Sequence, residues 1–363
     1  MSQPPNPTPA LASSKPAFQS GGGSLFARYG KVLWPLLTLL AILAFNLFFN
    51  QDFFVIRFHN GHLDGNLINI LKNGAPVMLL SLGMTMVIAT GGIDLSVGSV
   101  MAISGAMAGV LIARPDYAYL SFINVHGSLW GIIGLALFVA VLAGLINGLF
   151  VALVDLQPIV ATLVMMIAGR GIAELITNGQ RPTFEHPAFM ALGRDFFLTL
   201  PIPFLIALGV AILTGLLTRG TALGIFLESI GNNATAARYA GVNARIMKIV
   251  AYVWCAFCAG IAGLIPTANL AYSDVNTLGQ NMELDGILAA AIGGASLAGG
   301  RFSLAGSILG ALVIQLLTTT MYALGVSTDV AMMAKAGVVV VVCLLQSEKF
   351  RRLLLSIFRR ARA

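Results

Sequence analysis

Thr221 to Lys248 reads TALGIFLESIGNNATAARYAGVNARIMK. The chain is apolar for long distances on either side, yet this stretch holds Glu228, Asn232, Asn233, Arg238, Asn243, Arg245 and Lys248. Asn232 or Asn233 can cap a helix N-terminus, Ala234 to Ala240 is a strong helical run, and Gly241 stands where a left-handed C-terminal cap is wanted. The pattern predicts a short helix with both ends defined, held in water between apolar spans. Either it is an ordinary connector or something docks on it.

The surroundings decide the class. Of 363 residues, 58% are hydrophobic and 10% charged, against about 25% charged in an average soluble domain. The fold class expected is all-α integral membrane. The 40 glycines suit membrane helices whose backbones approach closely. Apolar runs at about 32–49, 75–91, 96–113, 129–154 and 158–177 are long enough to cross or nearly cross a bilayer, as are runs at about 198–218, 246–270, 284–299, 302–324 and 329–347. About ten transmembrane helices are expected. With the N-terminus inside, fourteen of the 21 Lys and Arg fall in inside segments and five outside, and Arg170 and Lys335 lie within spans. That asymmetry puts the N- and C-termini in the cytoplasm.

Three regions follow. Residues 1–30 are expected as a disordered cytoplasmic N-terminal tail, since 1–24 is rich in Pro, Ser and Gly and has no signal-peptide pattern. Residues 31–347 form the transmembrane domain, with a cytoplasmic loop at 219–248. Residues 348–363 form a basic cytoplasmic tail, KFRRLLLSIFRRARA from Lys349, that suits anionic membrane lipid. The net charge of +7 is accounted for by this topology, so no nucleic acid partner is expected.

Enzyme chemistry finds little support. His59, His62, His126 and His186 all fall in outside segments, and the chain has neither HExxH nor GxxxxGK[ST]. No catalytic residue, metal site or cofactor is expected on this chain, and any ATP hydrolysis must come from a partner. Cys255 and Cys258 form a CxxC in an apolar run, where small hydrophobic packing is the expected role.

Ionisable groups in spans are costly and face polar interiors, which singles out Asp94, Arg170, Glu174, Glu283, Asp285 and Lys335. Arg170 and Glu174 are four apart and can pair on one helix face. Asp94 follows Gly91 and Gly92 at an expected helix break, where its carboxylate can cap the next helix and serve a gate. Glu283 and Asp285 begin the eighth run after a polar loop containing Asp274 and Asn276, with Asn269 and Tyr272 nearby. Such groups can hydrogen-bond a polar ligand or simply solvate a loop. Lys335 can pair with Glu174, Glu283 or Asp285. One echo, ATGGIDLSVG at 89–98 and AIGGASLAGG at 291–300, marks a possible pair of Gly-interrupted helix ends of the kind found beside transport paths.

Three stretches together carry a family resemblance: ATGGIDLSVGSVMAISGA from Ala89, ESIGNNATAARYAGVN from Glu228, and ELDGILAAAIGGASLAGGRFSLAGSILGALV from Glu283. In this order, over nearly the whole chain after the tail, the sequence resembles the ribose-type permeases of bacterial monosaccharide ABC importers, within the branched-chain amino acid/ribose permease superfamily. GRGIAELITNGQ from Gly169 and RYAGVNARI from Arg238 look nearest to members carrying galactofuranose.

The resemblance implies a multi-pass permease subunit in the bacterial inner membrane and a monosaccharide cargo. It implies three partners: a cytoplasmic ABC ATPase holding ATP and Mg, a second permease chain (paralogue or self), and a periplasmic sugar-binding protein. Asn233 to Gly241 would be the coupling helix, with Glu228, Asn232, Arg238 and Asn243 also at the ATPase contact. Asp94, Arg170, Glu174, Asp274, Asn276, Glu283, Asp285 and Lys335 would be the path or gate candidates. Two rivals remain from the residues themselves: an ion-coupled secondary sugar transporter using Asp94, Glu174 and Glu283, and a membrane assembly subunit without a pore.

Overall fold

The computed structural model describes residues 25–59, 62–113 and 128–327, with residues 330, 331, 333, 335–337 and 340 beyond them. Of the expected tails, residues 1–24 and 348–363 lie outside the described residues, as does His126.

α1 (Leu25–Phe49) leads through the hairpin of β1 (Arg57–His59) and β2 (His62–Asp64) to α2 (Asn66–Ala89). α3 (Val97–Ala113), α4 (Leu129–Ala152), α5 (Pro158–Thr177) and α6 (Pro187–Arg194) follow. Two-residue strands β3 (Phe196–Phe197) and β4 (Leu200–Pro201) precede α7 (Ile202–Arg219). Then come α8 (Leu223–Asn232), α9 (Ala234–Tyr239), α10 (Ala244–Leu270), α11 (Met282–Ile292) and α12 (Leu304–Ala323). The described residues from 330 to 340 are helical.

Among the described residues, seven helices are long and apolar enough to cross a membrane: α1, α2, α4, α5, α7, α10 and α12. α3 has 17 residues, about 25 Å at 1.5 Å per residue, and α11 has 11, about 16 Å. The run read as 284–299 is thus helical only over its first part. Gly293 and Gly294 end α11, Gly294 taking φ +83°, and a loop carries the chain to Leu304.

α10 is the central post and packs on α4, α2 and α3, while α2 also packs on α12, α11 and α7. From Gly74 to Ala89 every residue of α2 is buried, as expected for a helix apolar all round. Its few polar groups turn inward. Thr85 Oγ1 donates to the Ser81 carbonyl, and its hydroxyl meets Ser307 Oγ at 2.7 Å, joining α2 to α12.

On α4 the small inward residues recur every fourth position, Ala136, Ala140 and Gly144, continuing to Gly148. Gly148 lets the Ile249 backbone of α10 come close, with Ile249 Cα 3.0 Å from where a Cβ would stand. The opposite face of α4 exposes Trp130, Phe138 and Phe150. That division of small against large is the membrane-helix pattern. α1 touches the rest through a narrower face, latched by Asn46 Nδ2 donating to Thr320 Oγ1 at 2.8 Å.

Candidate functional site

Two stretches of irregular backbone meet inside the bundle. The first is the linker 90–96 between α2 and α3. α2 ends at Ala89 and Gly91 turns the chain with φ +83°. Asp94, 1% exposed, then takes both Ser96 donors on Oδ1: the backbone N at 2.9 Å and Oγ at 2.6 Å. Asp94, three positions ahead of α3, thus closes a turn on Ser96, the residue before the helix, and takes no N–H of α3 itself, where the expectation was a cap on that helix. Asn147 Nδ2 of α4 donates to Ser96 Oγ at 2.8 Å, and Thr162 Oγ1 of α5 donates to the Ile93 carbonyl at 3.3 Å, so the linker is tied to two neighbours. Among the described residues, Asp94 Oδ2, Asn147 Oδ1 and Tyr252 Oη have no hydrogen-bond partner although all three are buried. Each such atom costs about 1–3 kcal/mol.

The second stretch is 271–281, which doubles back along α3. Ser273 packs on Gly109, Leu278 on Gly105 and Gly279 on Gly98, the two glycine backbones touching with no room for a Cβ on either. The segment is pinned along its length. Ser273 N donates to the Pro182 carbonyl at 3.1 Å, Arg181 pairs with Asp274 at 3.1 Å, and Asn276 N donates to Asp274 Oδ1 at 3.2 Å. Arg170 Nη1 of α5 donates to the carbonyls of Val275 and Leu278, at 2.8 Å and 2.5 Å.

α11 starts where this segment ends. Its Glu283 carboxylate lies against Gly98, and its Gly286 packs on Leu80, nine residues from the end of α2. At 1.5 Å per residue that is about 14 Å into a helix about 36 Å long. α3 and α11 therefore both begin deep within the bundle, at the meeting of the irregular stretches. The two halves of the sequence echo fall at the ends of α2 and α11, with φ +83° at Gly91 and Gly294, one residue out of register with the echo, while the start of α11 at Met282 lies outside it.

The structure sorts the charged candidates. Arg170 and Glu174 do not pair: Arg170 is spent on the two carbonyls, with Glu283 its Coulombic neighbour, while Glu174 is exposed on α5. The i, i+4 spacing set a shared face, but the unpaired carbonyls of a non-helical segment hold the guanidinium. Asp274 is buried and neutralised by Arg181. Of the three carboxylates open to Lys335, Asp285 is the partner, with Nζ 3.1 Å and 3.0 Å from its two oxygens. Asn276 is exposed, and so are Thr277, Gln280 and Asn281, which the charge-led reading passed over. Only tertiary structure, by showing that the segment turns inward, gives those neutral groups significance.

At the end of the bundle where α2 and α11 finish, the opening stretch takes shape. Asn233, not Asn232, is the cap of α9, accepting from Ala236 N at 3.0 Å. Gly241 has φ +86°, and Val242 N donates to the Ala237 carbonyl at 3.0 Å, closing the other end. Asn243 caps α10 through Arg245 N and Ile246 N. Asn232 closes α8, a helix the sequence pattern left unread, and Glu228 is half-buried on it. Arg238 and Tyr239 are exposed, Tyr239 by 88%. A groove of ≈ 910 Å³ beside α9 is lined by Asp155, Arg238, Tyr239, Arg245 and Lys248 among others.

α8 also reaches the broken helices. Gly300 N donates to the Ala89 carbonyl at 3.0 Å, joining the end of α2 to the loop after α11. Gly231 sits on that junction: a Cβ there would overlap the Ala89 oxygen and the Gly300 nitrogen and stand 3.0 Å from Gly300 Cα. Three residues later α9 begins.

Residues 66–343 match a family described as the permease component of branched-chain amino acid transport systems. The chain belongs to this family. Several relatives among known proteins are named as sugar permeases. The galactofuranose transporter permease of Escherichia coli (strain K12) is 44% identical over 322 residues, 87% of this chain and 91% of the relative. The fructose import permease of Bifidobacterium longum is 37% identical, covering 88% of each chain, and the ribose import permease of Escherichia coli (strain K12) is 34% identical over 86% of this permease and 93% of that one. No solved structure matches significantly. The family is one of transporter permease subunits, not enzymes, and among the described residues no cluster of His, Cys, Asp and Glu is arranged to hold a metal.

Proposed function

We propose that this permease is a membrane subunit of an ATP-driven importer that carries a monosaccharide, galactofuranose foremost, from periplasm to cytoplasm across the bacterial inner membrane. The observation that carries the proposal is 44% identity over most of both chains to a galactofuranose transporter permease. The chain crosses the bilayer ten times, the shorter α3 and α11 completing crossings with irregular backbone, and both termini are cytoplasmic. A separate ABC ATPase supplies ATP and Mg, a periplasmic binding protein delivers the sugar, and a second permease chain completes the path.

Geometry supports a division of labour. α9, capped at both ends and exposed on its outer face, is the docking helix for the ATPase, with Arg238 and Tyr239 as its protruding contacts. Glu228, Asn232, Asn233, Gly241 and Asn243 shape that surface rather than protrude from it. The inward segment and the starts of α3 and α11 form the path and gate. Asp94, Arg170, Asp274, Asp285 and Lys335 hold them in place, while Asn276, Glu174 and Glu283 stand nearest the moving sugar. Nothing binds covalently. Transport rests on tight capture by the binding protein and weak contacts along the path.

Uptake into proteoliposomes holding this chain, its co-encoded ATPase, any sister permease and the binding protein tests the reading. Galactofuranose uptake that requires ATP and the ATPase is expected. Uptake driven by a proton or sodium gradient without ATP would favour the ion-coupled alternative and remove the role given to α9.

A further inference from the structure

The segment 271–281 presents an unusual surface. Asn276, Thr277, Gln280 and Asn281 are exposed, whereas Ser273, Asp274, Val275, Leu278 and Gly279 are turned inward against α3 and α5. None of the four exposed side chains has a hydrogen-bond or ion-pair partner among the described residues. The strip ends beside α11, whose first turn lies about midway along α2.

Lipid cannot cover such a surface. Irregular backbone at membrane depth persists only where it is buried in protein or lines a water-filled cavity, because its polar groups have no partner in hydrocarbon. The neighbouring helices look different. α5, which Arg170 ties to the strip, exposes Val164, Ile167 and Leu175 elsewhere on its surface, and Leu284 of α11 is 51% exposed. None of the four side chains is charged; the nearby Arg170 is committed to carbonyls and Asp274 to Arg181, and the carboxylates of Glu283 and Glu174 flank the strip. Three amides and one hydroxyl offer donors and acceptors together, which match the hydroxyls of a neutral sugar.

We propose that Asn276, Thr277, Gln280 and Asn281 form the sugar-contacting strip of the path, with Gln280 and Asn281, next to the start of α11, discriminating among monosaccharides. The proposal rests on the import reading above and adds the residues that read the cargo. Each amide exchanges hydrogen bonds with hydroxyls as the sugar passes, and the buried backbone behind keeps the four groups in register.

The test uses the complete transporter in proteoliposomes. Gln280→Leu keeps size and removes both polar functions. Uptake of the preferred sugar should fall at least about tenfold, and the preference between galactofuranose and ribose should shift at least about threefold, because a site built to hydrogen-bond a hydroxyl loses discrimination with its partner group. ATP hydrolysis stimulated by sugar-loaded binding protein should stay within about twofold, marking an intact assembly. A second variant covers failure of that one to assemble. Gln280→Cys should react with a hydrophilic, membrane-impermeant methanethiosulfonate, and saturating sugar should slow the reaction; the wild-type chain, with Cys255 and Cys258 buried and Cys343 also present, is labelled in parallel as the baseline. Unchanged uptake and preference in Gln280→Leu, or no reaction at Cys in Gln280→Cys, would overturn the proposal. Wild-type transporter that moves no monosaccharide while Gln280→Cys is labelled would overturn the import reading and the sugar role together, leaving an aqueous path for another cargo.

Discussion

Gly231→Ala probes the contact between α8 and the two helix breaks. The added methyl overlaps the Ala89 carbonyl oxygen and the Gly300 nitrogen, both backbone atoms, so no side chain can swing aside. Overpacking of this kind costs about 1–3 kcal/mol, and separating Ala89 from Gly300 forfeits a hydrogen bond worth about 1 kcal/mol more. A loss of about 2–4 kcal/mol is expected, roughly 30- to 900-fold in the equilibrium that keeps the junction closed. The assay is twofold: thermal unfolding of the purified permease in nanodiscs, and sugar moved per ATP hydrolysed in the reconstituted transporter. Both should fall, the second because α9 then moves without drawing the ends of α2 and α11 along. Gly215→Ala on α7 is the control. Nothing lies within 4 Å of its Cβ position, and replacing a mid-helix glycine with alanine is neutral or gains up to about 1 kcal/mol. A Gly231→Ala permease matching Gly215→Ala in melting and in coupling would refute the reasoning.

Three further outcomes are expected. Asp94→Asn should retain thermal stability within about 1 kcal/mol, since an amide oxygen still takes the Ser96 donors, whereas Asp94→Ala should lose about 1–3 kcal/mol with those two hydrogen bonds; equal losses in the two melts would count against this role. Arg170→Ala should cost about 1.5–3 kcal/mol per charged hydrogen bond removed and raise amide exchange across 272–281 selectively, measured by mass spectrometry, with exchange confined to α5 as the contrary result. Asp285→Asn and Lys335→Met should each destabilise more than the double variant, because removing one partner strands a partly buried charge; strict additivity in a double-mutant cycle would argue that the pair is incidental.

The legible parts of this chain were those governed by short-range rules. Asn233, Gly241 and the alanines between them announce α9 because capping and left-handed termination act over four residues. The apolar runs announce helices because lipid tolerates little else. The break before Asp94 was readable because Gly91 and Gly92 end the helix there, although its carboxylate holds Ser96 and not an N–H of α3. Legibility failed where partners were distant. Arg170 stands four residues from Glu174, yet its guanidinium goes to carbonyls more than a hundred positions away, and nothing local encodes that choice. Gly231 looked like one glycine among 40, and its tight fit against Ala89 exists only once α8 folds onto the bundle. Thr277, Gln280 and Asn281 read as solvated loop until the segment is seen to turn inward.

The brevity of α11 bears on how the chain enters the membrane. Eleven residues opening with Glu283 and Asp285 cannot be released into lipid alone, since a stable solitary span needs about twenty predominantly apolar residues. Gly293 lies flush against Gly306 and Ser307 of α12, and the close fit predicts that α11 and α12 enter as a hairpin, the longer helix carrying the shorter. A nascent chain ending before Ala323 therefore holds a membrane segment with no shelter, and quality-control proteases should clear such truncations while sparing chains in which α12 is complete.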